Sequence, residues 1–274
     1  MGRGREGFAL LSVMGIVILV GLLATVALSR GRHDIERGAV AEATAKVRAA
    51  ADGAVESIAM DILIQMARNP AGLDLTPRRL RIGTVEVTVS LTDEDGLIDL
   101  NAAPEPLLAT LLTAAGQDLV AAERLAARIA DFRDADGLVR IGGAELAEYA
   151  KAGLAHSPAN APFGSVLELR QVLGVDGDLY GRIAPVLTVH TGREHLDPAA
   201  APPELVRLLS GGEAGMPQPR TGSLLAYYAP SRRRIFTLTA TAAADGAAFT
   251  RIATLRLTGR ALAPIEWLRW ERRG

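Results

Sequence analysis

Four carboxylates stand close enough along the chain to act together: Asp131, Asp134 and Asp136, followed by Glu145. Acids two or three apart in a loop can offer several oxygens to one hard cation, and calcium takes about six to eight. They are candidate calcium ligands; the competing reading is a solvated loop at a helix end. Other chemistry is scarce. His33, His156, His190 and His195 include no pair at helical ligand spacing, which leaves zinc without a site. There is no cysteine, so a thiolate metal site and a disulfide framework are both excluded. A G-x-S-x-G elbow, a P-loop and an H-E-x-x-H helix are all missing. No catalytic residue can be nominated, and the chain reads as a non-enzyme. A net charge of −1 over 274 residues argues against a broad electrostatic grip on nucleic acid.

The elements that would carry these residues begin with an apolar run over residues 8–28, uncharged and with only Ser12 and Thr25 as polar interruptions. As a helix it reaches about 31 Å, the thickness of a bilayer's hydrocarbon core. It is too long for the core of a secretory signal peptide, and its far end offers a poor cleavage site. Arg5-Glu6-Gly7 before Phe8-Ala9-Leu10-Leu11 resembles the type IV prepilin leader, which a membrane peptidase cuts after Gly. Cleavage between Gly7 and Phe8, with methylation of Phe8, is therefore expected; an uncleaved signal anchor is the alternative.

Helical character continues over residues 39–66, where Val47, Ala51, Val55, Ile58, Ile62 and Met66 mark one apolar face. Asn69-Pro70-Ala71-Gly72 should stop this helix, and Gly31, Gly38 and Gly53 should weaken the rod. Val85, Val87, Val89 and Leu91 alternate with polar residues, as in a half-buried strand. Asp93-Glu94-Asp95-Gly96 reads as a turn into a short strand over residues 97–100. A second β pair is predicted at residues 235–241 and 249–257, with Asp245-Gly246 at the hairpin tip.

Between these strands the pattern is helical. Asn101 is placed to cap and Pro104 to sit in the first turn of a helix carrying Leu107, Leu108, Leu111 and Leu112. A second amphipathic helix over residues 119–133 leads into the acidic loop. Ser165 and Glu168 have capping-box spacing and should open a helix through Val172, with another at residues 179–186. Ala102-Ala103-Pro104-Glu105 is echoed by Ala200-Ala201-Pro202-Pro203-Glu204, and residues 211–221 form a Gly/Pro loop back to the sheet.

Four stretches together resemble the minor pseudopilin K of the type II secretion system (general secretion pathway protein K). They are the Gly7–Phe8 leader with its apolar run, and Gly96-Leu97-Ile98-Asp99-Leu100-Asn101-Ala102-Ala103-Pro104-Glu105 beside the family's G-x-I-N-L-N-T-A-P-E. The third is Asp131-Phe132-Arg133-Asp134-Ala135-Asp136, running through Gly143-Ala144-Glu145 to Tyr149; the fourth is Pro158-Ala159-Asn160 through Ser165 and Glu168-Leu169. The resemblance implies an α+β fold: a pilin-like N-terminal transmembrane helix plus antiparallel sheet, with a large all-helical insertion (SAM-like, helix-hairpin-helix-like) between strands. On that plan residues 1–7 are a leader, 8–29 the transmembrane helix and 30–68 its periplasmic continuation. Residues 69–100 and 221–264 form the sheet, 101–220 the insertion and 265–274 a C-terminal tail.

The same resemblance implies a non-enzymatic subunit of the bacterial inner membrane with a periplasmic C-terminal domain. It would cap the pseudopilus with the minor pseudopilins I and J, after processing by prepilin peptidase, and would meet secreted substrates. Counted from Phe8, the fifth residue is Ser12, where most pilins carry a Glu that neutralises the buried N-terminal ammonium of a neighbour. A tip subunit has no neighbour above it, so Ser12 fits the tip. The resemblance also implies a calcium-binding region at the acidic loop, but Gly137, Leu138, Leu146 and Ala147 stand where the family often has further acids, which predicts weaker binding or none. A rival is a membrane-anchored helix-hairpin-helix protein for DNA binding and uptake. Its phosphate-binding Gly-hydrophobic-Gly hairpin is replaced by Ala114-Ala115-Gly116-Gln117-Asp118 and, in the echo, by Ser210-Gly211-Gly212-Glu213, each with an acid. No nucleic-acid partner is expected.

Overall fold

The structure, a computed structural model, describes residues 4–69, 73–210 and 224–273, with side chains described over 13–25, 37–69, 73–209 and 226–272. Helix α1 (Gly4–Arg68) is one element of 65 residues, running through Gly31, Gly38 and Gly53 without a break. A glycine costs a helix about 1 kcal/mol relative to alanine, too little to interrupt one whose second half is held by packing. That half lays Val47, Ala50, Ala51, Ala54, Val55, Ile58, Ala59 and Ile62 on the sheet, all buried. Its alanines let helix and sheet approach closely.

The first half has no such cover. Over residues 13–25 the large apolar side chains from Val13 to Leu23 are 55–64% exposed, whichever way they point. Among the described residues no helix is long and apolar enough to cross a membrane. The apolar run itself is described side chain by side chain only over residues 13–25, short of the roughly 20 that a crossing needs. The side chains of Phe8 and Ser12, and the surroundings of the Gly7–Phe8 bond, lie outside the described residues. So do Pro70–Gly72 at the helix stop, the loop at residues 211–221 and the second hairpin echo.

Five antiparallel strands follow α1, in the order β1-β2-β5-β6-β7. They are β1 (Arg78–Ile82), β2 (Val85–Asp93), β5 (Ile235–Ala244), β6 (Ala247–Leu257) and β7 (Ile265–Arg273). Strand β2 alternates as its sequence predicts, with Val85, Val87, Val89 and Leu91 turned into the core. The β5–β6 hairpin turns at Asp245 and Gly246, both at positive φ (52° and 77°), which matches the right-handed twist of the strands it joins. Lys46 of α1 reaches Asp245 at 3.0 Å. Two corrections concern the edges. Strand β1 was not anticipated, and residues 265–273 are a strand, not a tail. Arginines crowd both edges (Arg78, Arg79 and Arg81; Arg269 and Arg272), which discourages edge-to-edge pairing and hides the alternation.

A second core lies between β2 and β5 in sequence. It is built on α2 (Glu105–Ala114), α3 (Leu119–Arg133), α4 (Leu146–Lys151), α5 (Gly177–Ile183) and α6 (Pro203–Ser210), around Leu107, Leu111, Ile129, Phe132, Tyr149 and Leu205. Phe132 stacks on Phe163 with ring centroids 4.8 Å apart. Residues 97–100 do not extend the large sheet. Their strand, β3 (Ile98–Asp99), pairs in parallel with β4 (Leu187–Thr188) inside this second core. Residues 166–171 form a 3₁₀ segment and not an α-helix; Ser165 caps no backbone N–H, while Glu168 accepts from the N–H of Gly164 at 3.2 Å. The two proline echoes do match in space, each preceding a helix whose first leucine N–H bonds back to the proline carbonyl (Leu107 to Pro104, Leu205 to Pro202, both 3.0 Å).

Candidate functional site

The acidic loop is assembled around one carboxylate. Asp131, in the last turn of α3, is wholly buried and accepts hydrogen bonds from the N–H of Ala144 (2.9 Å), the N–H of Arg140 (3.2 Å) and Arg140 Nη1 (2.7 Å). The loop closes so tightly that a Cβ on Gly143 would lie 1.9 Å from Asp131 Oδ2. Glycine at 143 is therefore required by contact, not by backbone angle. Arg140 also pairs with Asp134 and, through Nε, with Glu105 of α2 at 3.1 Å. Its hydrogen bonds to Asp131 and then Asp134 raise the guanidinium pKa above its usual value. Arg133 runs the other way, donating to the carbonyls of Leu100 and Ala103 and pinning the end of α3 to the entrance of α2. Burial lowers its pKa.

The four candidate acids thus split. Asp131 and Asp134 share Arg140. Asp136 turns away, its Oδ1 accepting from the N–H of Leu138 at 2.9 Å while its carbonyl takes the Asn160 amide at 3.0 Å. Glu145 opens α4, donating its N–H to Glu148 at 2.9 Å; burial, with Asp131, Asp134 and Asp136 nearby, raises its carboxyl pKa. Three buried oxygens here have no hydrogen-bond partner: Asp134 Oδ1, Glu145 Oε1 and Asn160 Oδ1. These are donors that a hard cation takes, yet the guanidinium already holds the carboxylates that would have to lead the shell. Among the described residues no group of three or more His, Cys, Asp or Glu is arranged to hold a metal ion. As placed, the donor set does not fit calcium with its six to eight oxygens. Arg140 was missed in the sequence, although a lone cation inside an acidic loop was the available signal.

A second polar centre was not anticipated at all. Asp93, Glu94, Asp95 and Asp99, read as turn and strand residues, are all buried where the sheet meets the helical region. Glu94 accepts from the Thr188 hydroxyl. Asp93 Oδ2 takes the Ser231 hydroxyl at 2.6 Å, and Asp95 Oδ2 takes Arg193 Nη1 at 2.8 Å and the Arg232 N–H at 2.6 Å. Asp99 Oδ2 gathers the N–H groups of Thr191 and Gly192, each at 2.8 Å. Burial raises the carboxyl pKa of Glu94 and of Asp93. Gly96 lies between Asp95 and Asp99, and a Cβ there would stand 2.2 Å from the carbonyl oxygen of Ala200. Asn101 does not cap α2, whose N-cap is Pro104. It bridges instead, accepting from the Phe163 N–H at 2.7 Å and donating to the Phe163 carbonyl at 3.0 Å. The G-L-I-D-L-N stretch is therefore a joint. Asp99 and Asn101 within it, with Asp93 and Asp95 just before it, tie this part of the chain to segments 60–140 residues away in sequence.

The family model described as Type II secretion system (T2SS), protein K matches residues 89–192. The type II secretion system protein K of Pectobacterium carotovorum subsp. carotovorum is 28% identical over 207 residues, 68% of this chain and 63% of that protein. Its counterpart in Klebsiella pneumoniae is 27% identical over 205 residues, with the same coverage of 68% and 63%. The chain thus matches a little under two thirds of the length of these curated relatives. A chain in the crystal structure of the GspK-GspI-GspJ complex from the enterotoxigenic Escherichia coli type 2 secretion system aligns with a TM-score of 0.63 at 18% identity. It covers 90% of this chain and 99% of that one, a likeness of fold. The span matched by the family model takes in the acids of the buried joint and the Arg140 loop together, and it is over this span and the curated relatives that the chain is similar to type II secretion system protein K.

Proposed function

We propose that this protein is the minor pseudopilin K of its secretion system: a non-enzymatic, membrane-anchored subunit that assembles with minor pseudopilins I and J at the tip of a short periplasmic fibre. One observation carries most weight. A single helix buries its second half on a sheet while residues 13–25 expose apolar side chains on every side, a surface that water does not favour and lipid does. In this reading residues 8–28 lie in the inner membrane until the chain is cut between Gly7 and Phe8. Phe8 is then methylated, and the fold is a pilin-like helix and sheet bearing a helical insertion. Ser12 in place of a carboxylate suits a subunit with nothing stacked above it. A head this large, spread over the second core, would also obstruct such stacking. In this reading Arg140 holds Asp131 and Asp134 of the acidic loop in place of a metal ion, and the loop's shape does not depend on calcium.

The mature N-terminus tests the reading directly. Mass spectrometry of the protein recovered from bacterial membranes should find N-methylated Phe8 as the first residue. Recovery of a chain beginning at Met1 would refute the processing, and failure to co-purify with the I and J subunits would refute the assembly.

A further inference from the structure

Where the sheet meets the loop after β4, a cleft of about 300 Å³ is lined by four arginines: Arg193, Arg232, Arg234 and Arg256. Among the residues lining it, Asp95 is the one carboxylate against these four arginines. Asp95 is consumed by Arg193, the Ser231 hydroxyl and the Arg232 N–H, and Arg256 pairs with Glu266 at 3.2 Å on the exposed rim. Arg232 and Arg234 are exposed, and within the described residues no ion pair or side-chain hydrogen bond engages either. Two guanidinium groups are thus left over where like charges already crowd, an arrangement that repels itself unless an anion is added.

We propose that this cleft is a binding site for an acidic polypeptide segment. A guanidinium presents a planar fork of N–H donors that matches a carboxylate in bidentate fashion. Two features favour a peptide over a single small oxyanion. Ile235 and Leu257 contribute apolar wall between the arginines. The basic ground also continues past the cleft, since the exposed Arg260 follows Thr258 at the rim. Strands β5 and β6 are already paired on both sides, so recognition here works through side chains and not by adding a strand.

The test is fluorescence anisotropy with the full chain in detergent micelles and fluorescein-labelled hexaglutamate as probe. Hexaglutamate should bind in a salt-sensitive manner while hexaglutamine does not. The double variant R232Q/R234Q should weaken binding about tenfold, R232K/R234K should lose less, and R79Q/R81Q on the opposite sheet edge should bind like the parent. Undiminished binding by R232Q/R234Q, or no binding by the parent at low ionic strength, would overturn the proposal. Displacement by inorganic phosphate as effective as by unlabelled hexaglutamate would also overturn it, in favour of a small-oxyanion site.

Discussion

Replacing Arg140 by glutamine removes the cation from the acidic loop while leaving the two backbone N–H groups on Asp131. What is lost is one charge-assisted hydrogen bond to a fully buried carboxylate, plus weaker pairings with Asp134 and Glu105. The first is worth about 1.5–3 kcal/mol. Arg140 is 38% exposed, so water screens part of the interaction, and the rim pairs add little. A loss of about 2 kcal/mol follows, which lowers the urea midpoint by about 1 M if the slope is near 2 kcal/mol per molar. Calcium supplies the decisive arm. With Arg140 gone, Asp131 and Asp134 are freed beside the unpartnered oxygens of Glu145 and Asn160. A cation at ten times its dissociation constant would then restore about 1.4 kcal/mol. The variant should regain stability in millimolar calcium and the parent should not respond. A parent stabilised by calcium as strongly as the variant, or a variant as stable as the parent, would refute the reasoning that Arg140 occupies the cation's place.

Further consequences concern the joints of the fold. Burial raises the carboxyl pKa of Glu94 and Asp93, so their contribution to stability is fully present below their unfolded values and is lost as pH rises through the folded ones. Glu94→Gln should therefore raise the urea midpoint at pH 7, with the gain shrinking toward pH 4; an equal shift at both pH values would contradict this. Gly96→Ala drives a methyl group into the Ala200 backbone and should cost about 3 kcal/mol by the same assay. Asp52→Ala strips α1 of its pairing with Arg251, which is buried on β6 and held at 2.6 Å. The stranded cation should cost about 3 kcal/mol. Because Arg251 also lies 5.2 Å from the Trp270 ring, the near-ultraviolet circular dichroism should change as well.

Elements with a strong local period were legible. The α1 face from Val47 to Ile62, the alternation of β2 and the Asp245-Gly246 hairpin follow from backbone geometry that acts over a few residues. Edge strands were not legible, because an edge such as β7 must carry charges that a core strand avoids. The acidic loop was only half legible. Spacing brought out Asp131 and Asp134, but whether a cation from solution or a guanidinium from the chain meets them depends on how residues 137–143 fold back.

By itself the sequence determined an apolar helix at the start, a sheet divided by a helical region, and a motif set in family order. Those are properties of composition and short-range periodicity. Tertiary structure alone decided the fate of the charges. Asp95 meets Arg193 across 98 residues, Glu94 meets Thr188 across 94, and Asp52 meets Arg251 across 199. A carboxylate's neighbours in sequence do not reveal whether it ends in water or in a joint. Burial is set by which distant segments pack around it, and only once they have packed is its charge matched, shifted or left to seek a partner.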